Sequence, residues 1–211
     1  MPANNRNPAL DWIEDDLAEL ERLGLRRRLH TRRAPQGAVA EVDGRPLINF
    51  SSNDYLGLAA DPRVVEAAER AGRDDGWGAG ASPLVTGRSS LHAELELRLA
   101  EFEGTEAALL FPSGFAANAG TIPALVGEGD ALFADARNHA SIIDGCRLSN
   151  AQRFIYPHND ADALDHLLQT SGEHRRRLIV TDSLFSMDGD VAPLDRLAEL
   201  AERHNAMLMI D

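Results

Sequence analysis

The chain has 211 residues, of which 44% are hydrophobic and 26% are charged, and its formal net charge is −13. This composition is typical of a folded globular protein, and the strong negative charge argues against nonspecific nucleic-acid binding. No apolar run is long enough to cross a bilayer, and the first residues lack the apolar core of a signal peptide. The single cysteine, Cys146, cannot form an internal disulfide, and we therefore predict a cytoplasmic protein. From the charge and the absence of a long apolar run, we predict neither nucleic-acid nor membrane partners.

All 21 basic residues are arginine, so the chain contains no lysine. Chemistry that requires an amine side chain therefore cannot be completed by these residues. The seven histidines lack the paired spacing that is typical of zinc sites, and no metal site is predicted.

Residues 10–29 are predicted to form an amphipathic helix, because apolar side chains recur there at helical spacing. Three consecutive arginines, Arg26, Arg27 and Arg28, stand near its C-terminal end, where positive charge suits the helix dipole. Without further context, a solvated helix end is the simpler explanation of this cluster.

Residues 38–50 alternate around Asp43-Gly44, a pair that predicts a tight β-hairpin turn. We therefore assign residues 1–50 to an N-terminal arm made of a helix and a hairpin. Residues 51–211 are assigned to the first part of a larger domain.

The stretch 51–58 is polar and then broken by glycine, which predicts a loop. Asp61-Pro62 predicts the start of a helix that Gly72 closes. A further helix is predicted at residues 91–103.

Residues 76–87 are rich in small side chains but do not match a dinucleotide-binding loop. No predicted strand precedes them, and Pro83 stands where the third glycine would be. We expect a loop that passes close to another backbone segment.

From residue 107 onward, apolar runs alternate with helical patterns, which predicts an α/β fold with a mostly parallel sheet covered by helices on both faces. The predicted strands are 107–111, 131–134, 153–156, 178–181 and 207–210, and the predicted helices are 115–126, 140–148, 161–168 and 193–203.

In such a sheet, ligands bind beyond the carboxyl ends of the strands. The turn at Ser113-Gly114 joins a predicted strand to a helix start, a geometry suited to a phosphate group, although an ordinary turn explains it as well. Other polar residues follow the later strands: Asp135 and Asp160 are expected to cap helices, and His158 to lie in a loop.

Asp211 closes the apolar run 207–210 and is the last residue. A parallel strand needs neighbours on both sides to satisfy its backbone. We therefore expect the chain to be the front part of a longer protein.

Five motifs occur in one order along the chain, and together they resemble the α-oxoamine synthase family. They are FSSNDYLGL at 50–58, SGFAAN at 113–118, NHAS at 138–141, FSMDGD at 185–190 and MLMID at 207–211. The resemblance runs from about Leu10 onward. It implies the large domain of a fold-type-I pyridoxal-phosphate transferase, present here only in part, with pyridoxal 5′-phosphate as cofactor and a homodimer whose sites lie at the interface.

The resemblance also implies roles for particular residues. Gly114 and Phe115 would lie at the cofactor phosphate, Ser186 would hydrogen-bond the cofactor, and Asp211 would pair with the pyridinium nitrogen. His139 would stack on the cofactor ring and contact the substrate, so His139 and Asp211 are the implied catalytic residues.

Substrate contacts are implied nearer the N-terminus. Asn53 would contact the amino-acid substrate, and an arginine of the first helix would meet the carboxylate of the acyl chain. Arg27 is the better candidate by spacing, and Arg26 is the alternative. The motifs favour the family member that condenses L-alanine with a pimeloyl thioester over the members that make aminolevulinate, aminoketobutyrate or ketosphinganine.

Two features depart from the family. Pro83 stands where many relatives carry arginine, and the Schiff-base lysine of the family would lie beyond Asp211. The chain by itself is therefore expected to be inactive. A non-catalytic binding module built on the same half of the fold is the competing interpretation.

Overall fold

The computed structural model describes residues 8–211, and the chain divides into two compact units. The first unit ends at Gly80, and the second runs from Ala81 to Asp211. The functional division predicted at residue 50 remains a prediction.

The first helix is shorter than predicted. A 3-10 turn at Pro8–Leu10 leads into α1 (Asp11–Arg22), and the predicted continuation to residue 29 is wrong. Gly24 adopts φ +68°, a left-handed conformation that ends helices and that glycine adopts without strain. The arginines 26–28 therefore follow the helix and are not part of it.

The predicted hairpin is confirmed. Strands β2 (Val39–Val42) and β3 (Arg45–Ile48) pair antiparallel around Asp43 and Gly44, whose φ angles are 49° and 77°. Positive φ at both turn residues is the reason that an Asp-Gly pair favours this turn. A two-residue strand, β1 (Arg32–Arg33), extends the sheet and is too short to have left a sequence pattern.

Helix α2 (Pro62–Asp74) begins as predicted, because the Asp61 side chain accepts a hydrogen bond from the backbone N–H of Arg63 at 2.8 Å. It runs two residues past Gly72, the predicted end. A Cβ at that position would lie 2.4 Å from the indole nitrogen of Trp77, so a larger residue there would require this exposed side chain to move.

The second unit begins within the small-residue stretch 76–87. Its residues Pro83–Gly87 form one π-helical turn, and a Cβ on Gly87 would lie 2.0 Å from the carbonyl oxygen of Ala81. The close backbone approach is therefore a turn within the stretch itself, and the predicted approach to another segment stays a prediction. Helix α3 (Ser90–Glu103) follows and ends at Gly104, which has φ +67°.

The predicted strand at residues 107–111 is wrong: these residues form no strand. Within the described chain they pair with no other segment, and Leu109 is 73% exposed. An apolar run becomes a strand only where a neighbouring strand accepts its backbone hydrogen bonds.

The remaining elements confirm the predicted α/β alternation. All strand pairs of the second sheet are parallel, and its order is β5-β4-β6-β7. The elements are α4 (Gly114–Leu125), β4 (Ala131–Asp135), α5 (Ala140–Leu148), β5 (Gln152–Tyr156), α6 (Ala161–Thr170), β6 (Arg177–Thr181), α7 (Leu194–Arg203) and β7 (Met207–Ile210).

The two faces of this sheet bury separate cores. Phe133 of β4 packs with apolar residues of α6 and α7, and its neighbour Leu132 packs on the opposite face with Ile122 of α4 and Ile142 of α5. Side chains alternate across a strand, so a central strand with helices on both sides is apolar throughout.

Among residues 8–211, no helix is long and apolar enough to cross a membrane.

Candidate functional site

The start of α4 presents free backbone donors. The Ser113 side chain accepts a hydrogen bond from the N–H of Ala116 at 3.1 Å, and the Ser113 carbonyl accepts one from the N–H of Ala117 at 3.0 Å. The N–H groups of Gly114 and Phe115 have no acceptor within the described chain. Two free donors at the positive end of a helix suit a phosphate group.

Asn118 lies one turn further along α4 and connects three elements. It is 4% exposed, and its side-chain nitrogen donates to Asp211 Oδ2 at 2.6 Å and to Ser141 Oγ at 2.9 Å. Asp211 directly follows β7, and Ser141 belongs to the first turn of α5. The buried amide thus joins the carboxyl end of β7 to the start of α5.

His139 caps the N-terminus of α5. Its Nδ1 lies 3.2 Å from the backbone nitrogen and 2.7 Å from the hydroxyl of Ser141, and its own backbone N–H donates to Asp182 Oδ2 at 2.7 Å. A ring nitrogen that accepts a backbone N–H carries no proton, so the neutral ring is protonated at Nε2. The residue is exposed, which leaves the ring accessible to a ligand.

Two further polar residues fix this corner. Asn138 is buried, donates to the Val180 carbonyl at 2.9 Å and accepts from the Asp182 N–H at 3.2 Å. Burial raises the pKa of Asp182, and the nearby Asp211 carboxylate adds to that rise although the His139 N–H opposes it. The carboxyl ends of β6 and β7 and the start of α5 are therefore one connected polar cluster.

Ser186 lies on the loop that follows β6. An antiparallel bridge between Leu184 and Val191 closes this loop, and the Gly189 N–H donates to the Phe185 carbonyl at 2.7 Å. Ser186 is exposed and makes no hydrogen bond to the Asn118 network within the described chain. Its predicted contact with a cofactor stays a prediction.

His158 lies in the turn between β5 and α6, as predicted, and its imidazole has partners that the sequence did not reveal. Its Nδ1 lies 3.0 Å from Asp135 Oδ1, and its Nε2 lies 2.8 Å from Asp190 Oδ2. The hydrogen bond to Asp135 raises the pKa of His158, and the bond to Asp190 raises it further against the effect of burial. Asp135 caps no helix among residues 8–211, because it accepts the backbone N–H of Arg137 at 2.8 Å in the turn after β4, whereas Asp160 caps α6 as expected. The His158 imidazole thus links Asp190, in the loop that contains Ser186, to Asp135 at the end of β4.

His158, Asp188 and Asp190 also offer possible metal ligands within 4.8 Å of one another. In this structure Arg137 pairs with Asp188, and His158 already bonds to Asp190. These side chains satisfy each other, and the predicted absence of a metal site stays a prediction.

The predicted substrate-binding residues lie in the first unit. Arg26 pairs with Glu21 at 3.5 Å, and Arg27 is exposed without an ion pair to any described residue. Asn53 accepts a hydrogen bond from the Tyr55 hydroxyl at 3.3 Å. Their roles remain predictions.

Of the site residues predicted from the sequence, the structure brings four close together at the sheet edge: Gly114, Phe115, His139 and Asp211. It connects His139 and Asp211 through Asn118 and Ser141, and it places Gly114 and Phe115 one turn before Asn118 on the same helix. The sequence motifs contained Asn118 and Ser141, but no pattern in the sequence shows that two residues 23 positions apart share a hydrogen bond.

The chain matches the family aminotransferase class I and II over residues 45–211. It is 55% identical over 202 residues to the 8-amino-7-oxononanoate synthase of Anaeromyxobacter sp. (strain Fw109-5), covering 96% of this chain and 51% of that protein. The enzyme of the same name from Herminiimonas arsenicoxydans is 53% identical, with 95% and 52% covered. The chain thus spans about half the length of the curated relatives it matches.

Solved structures of similar enzymes share the fold of this chain. A serine palmitoyltransferase from Sphingomonas wittichii superposes with a TM-score of 0.88 at 32% identity, covering 97% of this chain and 52% of that one. A high-resolution structure of SPT with PLP internal aldimine has a TM-score of 0.88 at 31% identity, with 98% and 53% covered. An 8-amino-7-oxononanoate synthase from Francisella tularensis has a TM-score of 0.62 at 29% identity, with 77% and 44% covered. The chain therefore belongs to the aminotransferase class I and II family.

Proposed function

We propose that this chain is part of a pyridoxal 5′-phosphate-dependent acyltransferase that condenses L-alanine with a pimeloyl thioester, a step of biotin biosynthesis. The observation that carries the proposal is the hydrogen-bonded arrangement of Asp211, Asn118, Ser141 and His139 at the sheet edge. The similarity of this chain to 8-amino-7-oxononanoate synthases supports the choice of substrates.

The residues at the sheet edge fit pyridoxal phosphate. The free N–H groups of Gly114 and Phe115 suit its phosphate, and the Asp211 carboxylate suits a protonated ring nitrogen. When bound, the cofactor supplies an electron sink for the negative charge that develops at the α-carbon of the amino acid.

The protein groups have separate tasks in this reaction. Asp211 holds the proton on the ring nitrogen, His139 packs on the ring and contacts the substrate, and Ser186 donates a hydrogen bond to the cofactor. Asn53 contacts L-alanine. Arg27, or Arg26 in its place, binds the distal carboxylate of the acyl chain as a bidentate pair.

The bond changes balance without a further reactant. The α-carbon of alanine gives up its proton and bonds to the thioester carbonyl carbon, and the thiolate leaves. The carboxylate that came from alanine then departs as carbon dioxide, and a proton takes its place on the carbon.

A side chain that holds the cofactor covalently as a Schiff base must be a lysine, and this chain has none. We infer that these 211 residues do not catalyse the condensation alone and that the active protein is a homodimer that also contains the missing lysine.

A chimera tests the proposal. The chain would be joined at Asp211 to the remaining half of the Anaeromyxobacter sp. (strain Fw109-5) relative, and thiol release would be followed with alanine and pimeloyl thioester. We expect activity in the chimera and loss of that activity in its Asp211→Asn variant, because an amide cannot supply the ion pair.

Two outcomes would contradict the proposal. Activity with glycine and an acetyl or succinyl thioester, but not with alanine and pimeloyl thioester, would assign a different reaction in the same family. A folded chimera that binds no cofactor would favour the non-catalytic binding module.

A further inference from the structure

We propose that Asn118 is a positioning residue that holds the Asp211 carboxylate and, through Ser141, the His139 imidazole in one fixed arrangement. This inference rests on the proposed function, in which both groups face pyridoxal phosphate. Nothing in the sequence motif distinguishes Asn118 from its neighbours in SGFAAN, and the assignment comes from its contacts.

The amide of Asn118 can adopt only one orientation here. Its side-chain nitrogen lies 2.6 Å from Asp211 Oδ2 and 2.9 Å from Ser141 Oγ, so each N–H has one acceptor. If the amide were flipped, its oxygen would face the Asp211 carboxylate, and two acceptors would meet without a proton between them. The carboxylate therefore fixes which end of the amide points toward β7.

The direction of the next hydrogen bond follows from the first. Ser141 Oγ accepts from Asn118, so its own hydrogen is free to be donated to His139 Nδ1, which lies 2.7 Å away. The backbone N–H of Ser141 also points at Nδ1, at 3.2 Å. With two donors on Nδ1, the proton of the neutral His139 ring is confined to Nε2.

Packing makes this arrangement rigid. Asn118 and Ser141 are both buried, so water does not compete for their hydrogen bonds. A Cβ on Gly145 would lie 2.7 Å from the Asn118 carbonyl oxygen, which shows that α5 packs directly against α4 at this residue. The glycine thus permits the helix approach that brings Ser141 within reach of Asn118.

A neutral amide suits the Asp211 carboxylate better than a charged partner would. An arginine at this position would neutralise the carboxylate and compete with a ring nitrogen for it. An amide orients one carboxylate oxygen and leaves the negative charge of Asp211 available. The second oxygen, Oδ1, has no hydrogen-bond partner among residues 8–211 and is free to meet a ligand.

The first readout is the tautomer of His139, which does not require a cofactor. The 211-residue chain would be produced with ¹⁵N-labelled histidine, and two-bond proton–nitrogen spectra would be recorded for the wild type and for Asn118→Ala and Ser141→Ala. The His139 signal would be assigned by comparison with His139→Gln. Ser171→Ala is the matched control, because the Ser171 hydroxyl is buried without a partner within the described chain.

We expect the wild type and the Ser171→Ala control to show His139 protonated at Nε2. Both test variants keep the backbone N–H of Ser141 on Nδ1, but Ser141→Ala removes the shorter hydroxyl donor and Asn118→Ala no longer orients it, so each should show a larger fraction of the Nδ1-protonated tautomer than the wild type. An unchanged tautomer in Asn118→Ala and Ser141→Ala would overturn the inference. If Asn118→Ala does not fold, the tautomer in Ser141→Ala decides, since that change leaves the Asn118–Asp211 bond intact.

The second readout separates this inference from the proposed function. Binding of pyridoxal 5′-phosphate to the chimera described above, with and without the same changes, would be measured from its absorbance, and Asn118→Ala should weaken it roughly tenfold because a hydrogen bond to a charged group is lost. Equal affinity in the wild type and Asn118→Ala would overturn the link between Asn118 and Asp211. No binding by the wild type would contradict the cofactor site, while the tautomer would still test the positioning role.

Discussion

The described part of the first unit and the four-stranded sheet of the second unit use apolar residues in opposite ways. Among residues 8–80, Ala40 alone is buried, and Trp12, Phe50 and Trp77 are each more than half exposed. In the sheet, every residue of β4 is buried, as are residues 178–181 of β6. The two regions therefore form regular structure for different physical reasons.

The first unit shows what local signals achieve alone. The left-handed turn at Asp43-Gly44 sets the hairpin, and the Asp61 cap sets the start of α2, without a buried core around either element. The parallel sheet has no comparable local device, since its strands are joined through helices and are stabilised by apolar burial on both faces. Substitutions should therefore affect the sheet far more than the first unit.

The largest expected contrast compares two phenylalanines. Phe133→Ala removes a fully buried ring that stacks on Phe154 with centroids 5.1 Å apart, and we expect it to lower the free energy of unfolding by about 3–5 kcal/mol. Phe50 is 92% exposed, so Phe50→Ala should change stability by less than about 0.5 kcal/mol. Denaturant unfolding followed by circular dichroism measures both, and similar losses would refute the contrast.

Ion pairs should show the same contrast. Arg175 makes two hydrogen bonds of 2.9 Å to the buried carboxylate of Asp130, and these bonds lower the pKa of Asp130 to about 2. Removing one partner of a buried pair destabilises proteins by about 3–5 kcal/mol, and we expect a smaller loss for Arg175→Ala because the guanidinium is mostly exposed. Arg73→Ala breaks an exposed pair on α2, for which about 0.3–0.5 kcal/mol is typical.

The pH dependence of Arg175→Ala gives a second check. Because the folded-state pKa of Asp130 lies below its usual 3.8, its contribution to stability is present above that value and is lost as the pH falls through about 2. The difference in melting temperature between wild type and Arg175→Ala should therefore shrink on acidification. A difference that stays constant down to pH 2 would show that the loss is one of packing and not of charge.

Glycines provide a third pair. Gly145→Ala places a Cβ 2.7 Å from the Asn118 carbonyl oxygen, and such overpacking destabilises by about 1–3 kcal/mol. Gly78→Ala meets no atom within 4 Å, and by restricting the unfolded chain it should be neutral or stabilise by up to about 1 kcal/mol. The measurement is the melting temperature of each variant compared with that of the wild type. An unchanged melting temperature in Gly145→Ala would mean that α4 and α5 can move apart at this contact.

The smallest effect concerns two histidines. Because the folded-state pKa of His158 is raised, its contribution to stability is present below its usual pKa of about 6.5 and is lost as the pH rises through the folded value. We expect His158→Gln to remove this part of the pH dependence of the melting temperature above pH 6.5. His30→Gln is the control, since His30 bonds to Asp43 at an exposed position. Identical pH profiles of wild type and His158→Gln would contradict the assignment.

Two incorrect predictions show where sequence patterns stop being informative. The apolar run 107–111 has the composition of a buried strand, but no described segment pairs with it. The apolar pattern of the first helix continued to residue 29, but the backbone turns at Gly24. A pattern reports which residues favour burial or helix, and it does not report whether a partner is present or where the backbone reverses.

The candidate site likewise contains residues that motifs predicted and residues that only the contacts revealed. His139 and Asp211 were predicted from motifs, and each does lie at the carboxyl edge of the sheet. The roles of Asn118, Ser141 and Asn138 emerged only from contacts, because each bonds to a residue at least 23 positions away in the chain.

The sequence by itself determined the order of helices and strands after residue 113, the parallel sheet and the hairpin, because hydrophobic periodicity, caps and turn residues act over a few neighbouring positions. Only the tertiary structure decided which polar side chains meet at the sheet edge. Helix α5 packs on α4 at Gly145, and β7 ends beside Asn118, so a carboxylate and an imidazole that are 72 positions apart share one hydrogen-bond network. Such contacts depend on how elements pack across long separations in the chain, which no local pattern encodes.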